Sequence, residues 1–227
     1  MPSLSPLLIR HDRLLVLDAA SLRVQVGLLR PGQPALWRSS AAEAGRGIFI
    51  CTQELLGEAG LALDAIGGFL FCEGPGSMLG IRTVAMALRT WQMLRPRPAY
   101  AYQSLAVAGH FEWIEGGHRA FSVITDARRD TWHCQQVEAD GRLPALQRLA
   151  AAELPPGEWV TPENFRAWAP PPRPAATCSY DLARIFSALG DGDFFRAIEA
   201  PDAFQHDAPA YRKWSAQIHQ AAPVTRK

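Results

Sequence analysis

Asp18 closes a short apolar run, Leu14–Asp18, and is followed by Ala19, Ala20 and Ser21. A carboxylate at such a corner is a candidate nucleotide- or anion-facing group, with Ser21 beside it; it equally suits an Asx turn or a bond to Ser21. A second candidate is the loop Gly74-Pro-Gly-Ser77, set between an apolar strand and a helix. Backbone N–H groups there, with the positive end of the helix dipole, can hold an anion. The loop lacks the lysine of a GxxxxGK[ST] phosphate loop, and Gly74, Gly76 and Gly80 miss the GxGxxG spacing by one residue. The same glycines also serve a tight turn with positive φ. Arg82, one turn into the helix, offers a charged contact to an anion or to a partner's carboxylate. Asp126, Arg128, Arg129 and Asp130 form a charged hairpin, readable as internal ion pairing or as a contact surface. Cys72 lies beside Glu73, where a buried thiol and a nucleophile are both conceivable, the former being the ordinary reading. The six histidines show neither HExxH nor HxxxH, and no serine sits in GxSxG.

The elements that must position these groups follow from periodicity. Leu14–Asp18 and Leu22–Leu29 read as a hairpin, with a third strand at Ala35–Arg38. A helix is expected over Ala42–Ala59, with Ile48, Cys51, Leu55 and Leu56 at helical spacing, then a strand at Gly67–Cys72 and a helix over Ile81–Leu94. A strand at Ala99–Tyr102 and a helix from Ser104 complete a first unit, residues 1–112. A second unit, 113–227, begins with another hairpin, Ala120–Asp126 and Thr131–Glu138. It continues through a proline-rich connection (Pro155–Pro174), a helix at Tyr180–Leu189 and a polar tail with Tyr211 and Trp214 as anchors. Strand runs and helices in this order predict mixed sheets flanked by helices, in two lobes. Two hairpin-led units suggest a distant duplication without a visible sequence repeat.

The bulk properties exclude several classes. The chain has 227 residues, 48% of them hydrophobic and 20% charged, with a net charge of +1. That composition is globular, and it offers no overall basic excess for nucleic acid. Positive charge is almost all arginine, the only lysines being Lys213 and Lys227. No apolar run approaches the roughly 20 residues of a membrane span, and the charged N-terminus is unlike a signal peptide. Four scattered cysteines suit reduced thiols in a cytoplasm, with neither disulfides nor metal.

The motifs carry a resemblance. Glu73-Gly-Pro-Gly-Ser-Met-Leu-Gly-Ile-Arg82 resembles the GPGSFTGLR signature of the TsaB (YeaZ) family. Leu15–Ser21 is similar to that family's opening strand and IDTS-type turn, and Tyr102–Ala108 to its SLealA helix. Ile124–Arg129 is similar to its iDARR hairpin, and Pro209-Ala-Tyr-Arg212 to its C-terminal P-x-Y-R. The resemblance implies two actin-like (ASKHA, ribonuclease H-like) lobes hinged near residues 100–118. It implies a non-catalytic subunit that pairs with a TsaD-like enzyme and works with a TsaE-like ATPase. Together they transfer a threonylcarbamoyl group to an adenosine of tRNA. It further implies a homodimer in isolation, tRNA met only indirectly, ATP or ADP held only in complex, and no tightly bound cofactor or metal. The glycoprotease-like label of such proteins has no support in this sequence. The partner surface is expected on the two first-lobe helices, at Ile48, Leu55, Leu79, Arg82 and Met86. The sequence departs from the family at Asp18–Ser21, Ala41–Gly45 and Met78–Leu79. A sugar-kinase-like phosphotransferase, with Asp18 and Asp126 aimed at magnesium, and a diverged paralogue remain as alternatives.

Overall fold

In the computed structural model, which describes residues 3–204, the chain builds two mixed sheets. The first holds β1 (Leu14–Asp18), β2 (Val24–Leu29), β3 (Leu36–Ser40), β4 (Gly68–Gly74), β5 (Ala99–Gln103) and β11 (Arg196–Ile198) in the order β11-β5-β4-β1-β2-β3. The hairpin β1–β2 and β3 are antiparallel, whereas β4 and β5 run parallel to β1. β1 and β4 are buried along their whole length, so each reads as a continuous apolar run, closed by Asp18 in β1 and interrupted by Glu73 near the end of β4, rather than as an alternation.

The second sheet repeats this plan. β6 (Phe121–Asp126) and β7 (Thr131–Val137) form the hairpin, and β8 (Gln147–Ala150) adds antiparallel to β7. β9 (Trp159–Pro162) and β10 (Ala176–Cys178) follow parallel on the other side of β6. The order β8-β7-β6-β9-β10 matches β3-β2-β1-β4-β5 strand for strand and direction for direction. Two hairpin-led lobes of one topology give the chain its actin-like architecture.

The helices differ between lobes. α2 (Ala44–Glu58) and α3 (Met78–Leu94) cover one face of the first sheet. At the corresponding places the second lobe has only a 3-10 turn, Ala151–Glu153, and the irregular stretch between β9 and β10. Pro170, Pro171, Pro172 and Pro174 make a helix impossible there. β9 lies inside the segment read from sequence as an extended connection. Its four residues are too few to show a period, and it is held by pairing with β6 and by burial of Trp159 and Val160.

α4 (Ser104–Glu115) passes between the lobes and is apolar on both sides. Val107, Ala108 and Phe111 belong to the first-lobe core, while Leu105 joins Phe121, Val123, Val137 and Val160 in the second. α5 (Leu182–Ala188) returns to the first lobe, where the Phe186 ring lies tilted against Trp37 and edge-on to Tyr102, at 5.4 and 5.6 Å between ring centroids. The Gln25 side chain fixes that return, donating to Tyr180 O at 2.9 Å and accepting from Leu182 N at 3.0 Å. β11 then pairs with β5, so the chain after residue 180 packs with the first lobe.

A short helix, α1 (Leu4–His11), escaped sequence reading because only Leu7 of it is buried; His11 Nε2 meets the Tyr100 hydroxyl at 2.8 Å. The expected anchors Tyr211 and Trp214, and the block 209–212, lie outside the described residues.

α4 comes tight against the second sheet at Gly109, where a β-carbon would stand 2.9 Å from Val137 Cγ2 and 3.1 Å from Val123 Cγ2. Gly109→Ala should therefore overpack this seam. The expected net loss is about 1–2 kcal/mol after the gain in helix propensity, read as a Tm lower by roughly 2–6 °C.

Candidate functional site

The glycine loop is folded against the Ala19–Ala20 turn rather than towards solvent. Ser77 N donates to Ala20 O at 2.7 Å. A β-carbon on Gly76 would lie 2.4 Å from Ala20 O, and one on Gly80 would lie 2.3 Å from Ala19 O. Gly74 has φ +110°, which only glycine adopts readily. Ser77 caps α3 through its side chain, and Ser104 Oγ donates to Pro75 O. Ser21 Oγ donates to Arg23 O at 2.9 Å and accepts from Arg23 N at 3.1 Å, a local turn. These groups are thus brought together, but their polar atoms hold one another.

Asp18 sits behind them, fully buried. Its Oδ1 accepts from Ala20 N at 2.8 Å, and its Oδ2 accepts from the hydroxyls of Tyr102 and Tyr180, each at 2.8 Å. Cys72 Sγ lies 3.9 Å from the Tyr180 hydroxyl. Burial pushes the carboxyl pKa up against the lowering effect of these donors, and it pushes the Cys72 thiol and both phenols well up. Such a thiol is no nucleophile. Both Asp18 oxygens accept bonds from the chain itself, and the group is fully buried, so neither oxygen is presented to a cleft.

The expected partner residues separate into two sets. Ile48 and Leu55 are fully buried and so cannot touch a partner, because the apolar positions of α2 at helical spacing are the ones that cover β2 and β3. The inner face of α3, with Ile81, Val84, Leu88 and Trp91, is likewise core. Its outer face carries Leu79 at 79%, Met86 at 57% and Met93 at 86% exposure. These three recur every seven residues, with Thr83 and Thr90 between them and exposed Arg82 alongside. Phe49 of α2 is half exposed and meets Trp91 edge-on at 6.0 Å. Sequence reading named Leu79 and Met86 but passed over Met93, which the seven-residue step would have found.

Asp126 also works structurally. Its Oδ1 accepts from Arg128 N at 2.6 Å and its Oδ2 from Trp168 N and Ala169 N at 2.6 and 2.9 Å. Burial alone would raise its pKa, but these donors and the Arg128 charge outweigh it and hold the carboxyl below its ordinary value. The tip it secures places Arg128, Arg129 and Asp130 at φ of 65°, 54° and 56°. Each costs roughly 1–2 kcal/mol for a residue with a β-carbon.

A cleft of about 370 Å³ lies between the lobes, lined among others by Glu73, Gln103, His110, Gln135, Leu143 and Phe194. Sequence reading assigned nothing to it, and neither Asp18 nor the glycines of the loop line it. Arg196 pairs with Glu73 at 2.6 Å on its wall. Among the described residues no group of three or more His, Cys, Asp or Glu side chains could hold a metal ion, and no helix is long and apolar enough to cross a membrane.

Asp18→Asn should keep the Ala20 N bond and leave the tyrosine hydroxyls able to turn, whereas Asp18→Ala strands three buried groups and should cost about 3 kcal/mol. With a folded pKa above the ordinary 3.8, the folded state binds the proton more tightly than the unfolded chain. This contribution to stability is full below the unfolded pKa and is lost as pH rises through the folded one. The stability difference between wild type and Asp18→Asn, measured by denaturant titration across that range, should shift towards the variant as pH increases.

The sequence matches no protein-family model and no curated protein. Among solved structures the chain is similar to YeaZ from Pseudomonas aeruginosa, at 25% identity and a TM-score of 0.60, over 79% of this chain and 91% of that one. It is also similar to an uncharacterised protein with similarity to peptidase YeaZ from Pseudomonas aeruginosa, at 23% identity and a TM-score of 0.62, over 88% and 99% of the two chains. In its fold and in the order of its sequence blocks, the chain resembles the YeaZ (TsaB) family.

Proposed function

We propose that the chain is a non-catalytic partner subunit that docks a TsaD-like enzyme through the outer face of α3. With that enzyme and a TsaE-like ATPase it serves threonylcarbamoyl transfer to an adenosine of tRNA. The observation that carries the reading is the exposed stripe Leu79, Met86 and Met93 on the helix opened by the family-like glycine loop. A seven-residue recurrence of large apolar side chains on a water-facing helix fits a helix-to-helix seam with another protein. In isolation the same stripe suits self-association.

The kinase-like alternative loses its two candidate ligands. Asp18 and Asp126 each accept three bonds from donors of this chain, and the loop N–H of Ser77 is bonded to Ala20 O. These contacts support a role without chemistry in this chain: it would hold the partner in a competent shape by binding that shape better than others. Nucleotide would then be held only in the complex, the chain would carry no tightly bound cofactor, and its place of work would be the cytoplasm.

The variants Leu79→Asp, Met86→Asp and Met93→Asp should fold normally, since these side chains are exposed. Each should weaken association with the TsaD-like partner by roughly 30-fold or more, as loss of an interface hot spot of about 2 kcal/mol does. Leu88→Asp should instead unfold the lobe, because Leu88 is fully buried. Co-purification, circular dichroism and titration of the two proteins check this; normal partner binding by all three stripe variants would remove the α3 assignment.

A further inference from the structure

The hairpin tip of the second lobe stands outside the α3 reading and has its own chemistry. We infer that the β6–β7 tip and residues 166–172 form a binding surface for an unpaired stretch of nucleic acid. Phosphates would lie on Arg128, Arg129 and Arg166, and one base on the Trp168 indole.

Four observations converge on it. Arg128 and Arg129 occupy two of three successive left-handed positions, so the backbone is held in a conformation that side chains with a β-carbon rarely adopt. Ala127 N to Thr131 O at 2.9 Å, Thr131 N to Arg128 O at 3.1 Å and the Asp126 carboxylate keep it there. Trp168, a large aromatic, is 56% exposed; the Arg128 guanidinium lies over one face of its ring, 3.9 Å from the centre, and that of Arg166 lies 5.9 Å away, so a base would stack on the face Arg128 does not cover. Beside it lies a recess of about 400 Å³ lined by Trp132, Trp168, Pro170, Pro172, Arg128 and Arg129, within the range of about 300–1,000 Å³ that small-molecule-sized groups fill. Finally, among the described residues no salt bridge joins Arg128, Arg129 or Arg166 to a carboxylate. The Asp126 carboxylate beneath them accepts from three backbone N–H groups and also lies in the field of Arg128, and Asp130 is the other acid of the recess.

Cations beside an exposed aromatic face are what single strands use: charge follows the backbone while bases stack on any π surface. An acidic peptide would use the arginines and have no need of the indole. The near-zero net charge of the chain offers no overall attraction for nucleic acid, so such binding would depend on a local patch such as this one.

This surface is independent of the α3 stripe. Partner binding by the same variants, measured in parallel, should stay normal, which keeps the two apart. The test is fluorescence anisotropy of the full chain with labelled oligouridylate and oligothymidylate of about 12 nucleotides, a length within single-strand site sizes. Binding should weaken with salt with a log–log slope of about −2, as about three phosphate contacts require. Trp168→Ala should lower affinity by roughly 5- to 150-fold while Trp168→Phe stays within a few-fold. Arg129→Ala should reduce the salt slope by about 0.7. Tighter binding of the uridylate assigns the surface to RNA, and equal binding assigns it to single strands in general. Absence of binding at low salt, indifference to Trp168→Ala, or equal binding of polyglutamate of the same length would each overturn the proposal.

Discussion

The buried Asp18 carboxylate is the point on which the rest of the molecule is arranged. It ends β1 at the centre of the first sheet, and its two oxygens gather the Ala20 N–H from the following turn, a hydroxyl from β5 and one from the chain that re-enters after the second lobe. A carboxylate out of contact with water is tolerated only when its lone pairs are met. Meeting them demands that Tyr102 and Tyr180 arrive together, although a whole second lobe separates them in the chain. The close packing of the glycine loop on Ala19 and Ala20 follows from the same turn. Thus a residue type that elsewhere binds metal here closes the space in which a metal would sit.

The duplicated topology gives that closure its context. Both lobes carry the same five-strand order, but only the first has long helices on its outer face. The second has traded them for a 3-10 turn and a proline-rich strap. The two lobes therefore present different surfaces to the outside. The first offers an apolar helix face with Leu79, Met86 and Met93, and the second offers a rigid arginine-bearing tip next to Trp168. In each case the exposed group is held by a polar contact behind it: the Ser77 cap and glycine packing for α3, and Asp126 for the tip.

Much of the fold was legible from local pattern. The two hairpins, the glycine loop and the long helices all show as strand-length apolar runs, turn residues and 3.6-residue spacing. The strands β8 to β11 did not, because three or four residues have no period and owe their conformation to partners far along the chain. The site was legible as residues but not as roles. Asp18 and the glycines were picked out by position, yet their saturation depends on Tyr102 and Tyr180, which no spacing rule connects. Ile48 and Leu55 show the converse. An apolar helical stripe marks a buried face, and whether it is buried by the chain's own sheet or by a partner is decided by the sheet, not by the stripe. The outward-facing Leu79 and Met86 depart from the polar pattern of an exposed helix face, and that departure, not the buried stripe, is the signal an interface proposal can rest on.

The central claim is that this chain acts through its surface and that Asp18 serves structure alone. The most direct measurement is threonylcarbamoyladenosine formation by the reconstituted complex of this chain with the TsaD-like and TsaE-like proteins of its own source, comparing wild type with Asp18→Asn. The account predicts equal product formation, because the isosteric amide can keep the turn and the two tyrosines in place. Loss of product with folding and partner binding intact would show that the carboxylate takes part in the reaction, and would contradict it.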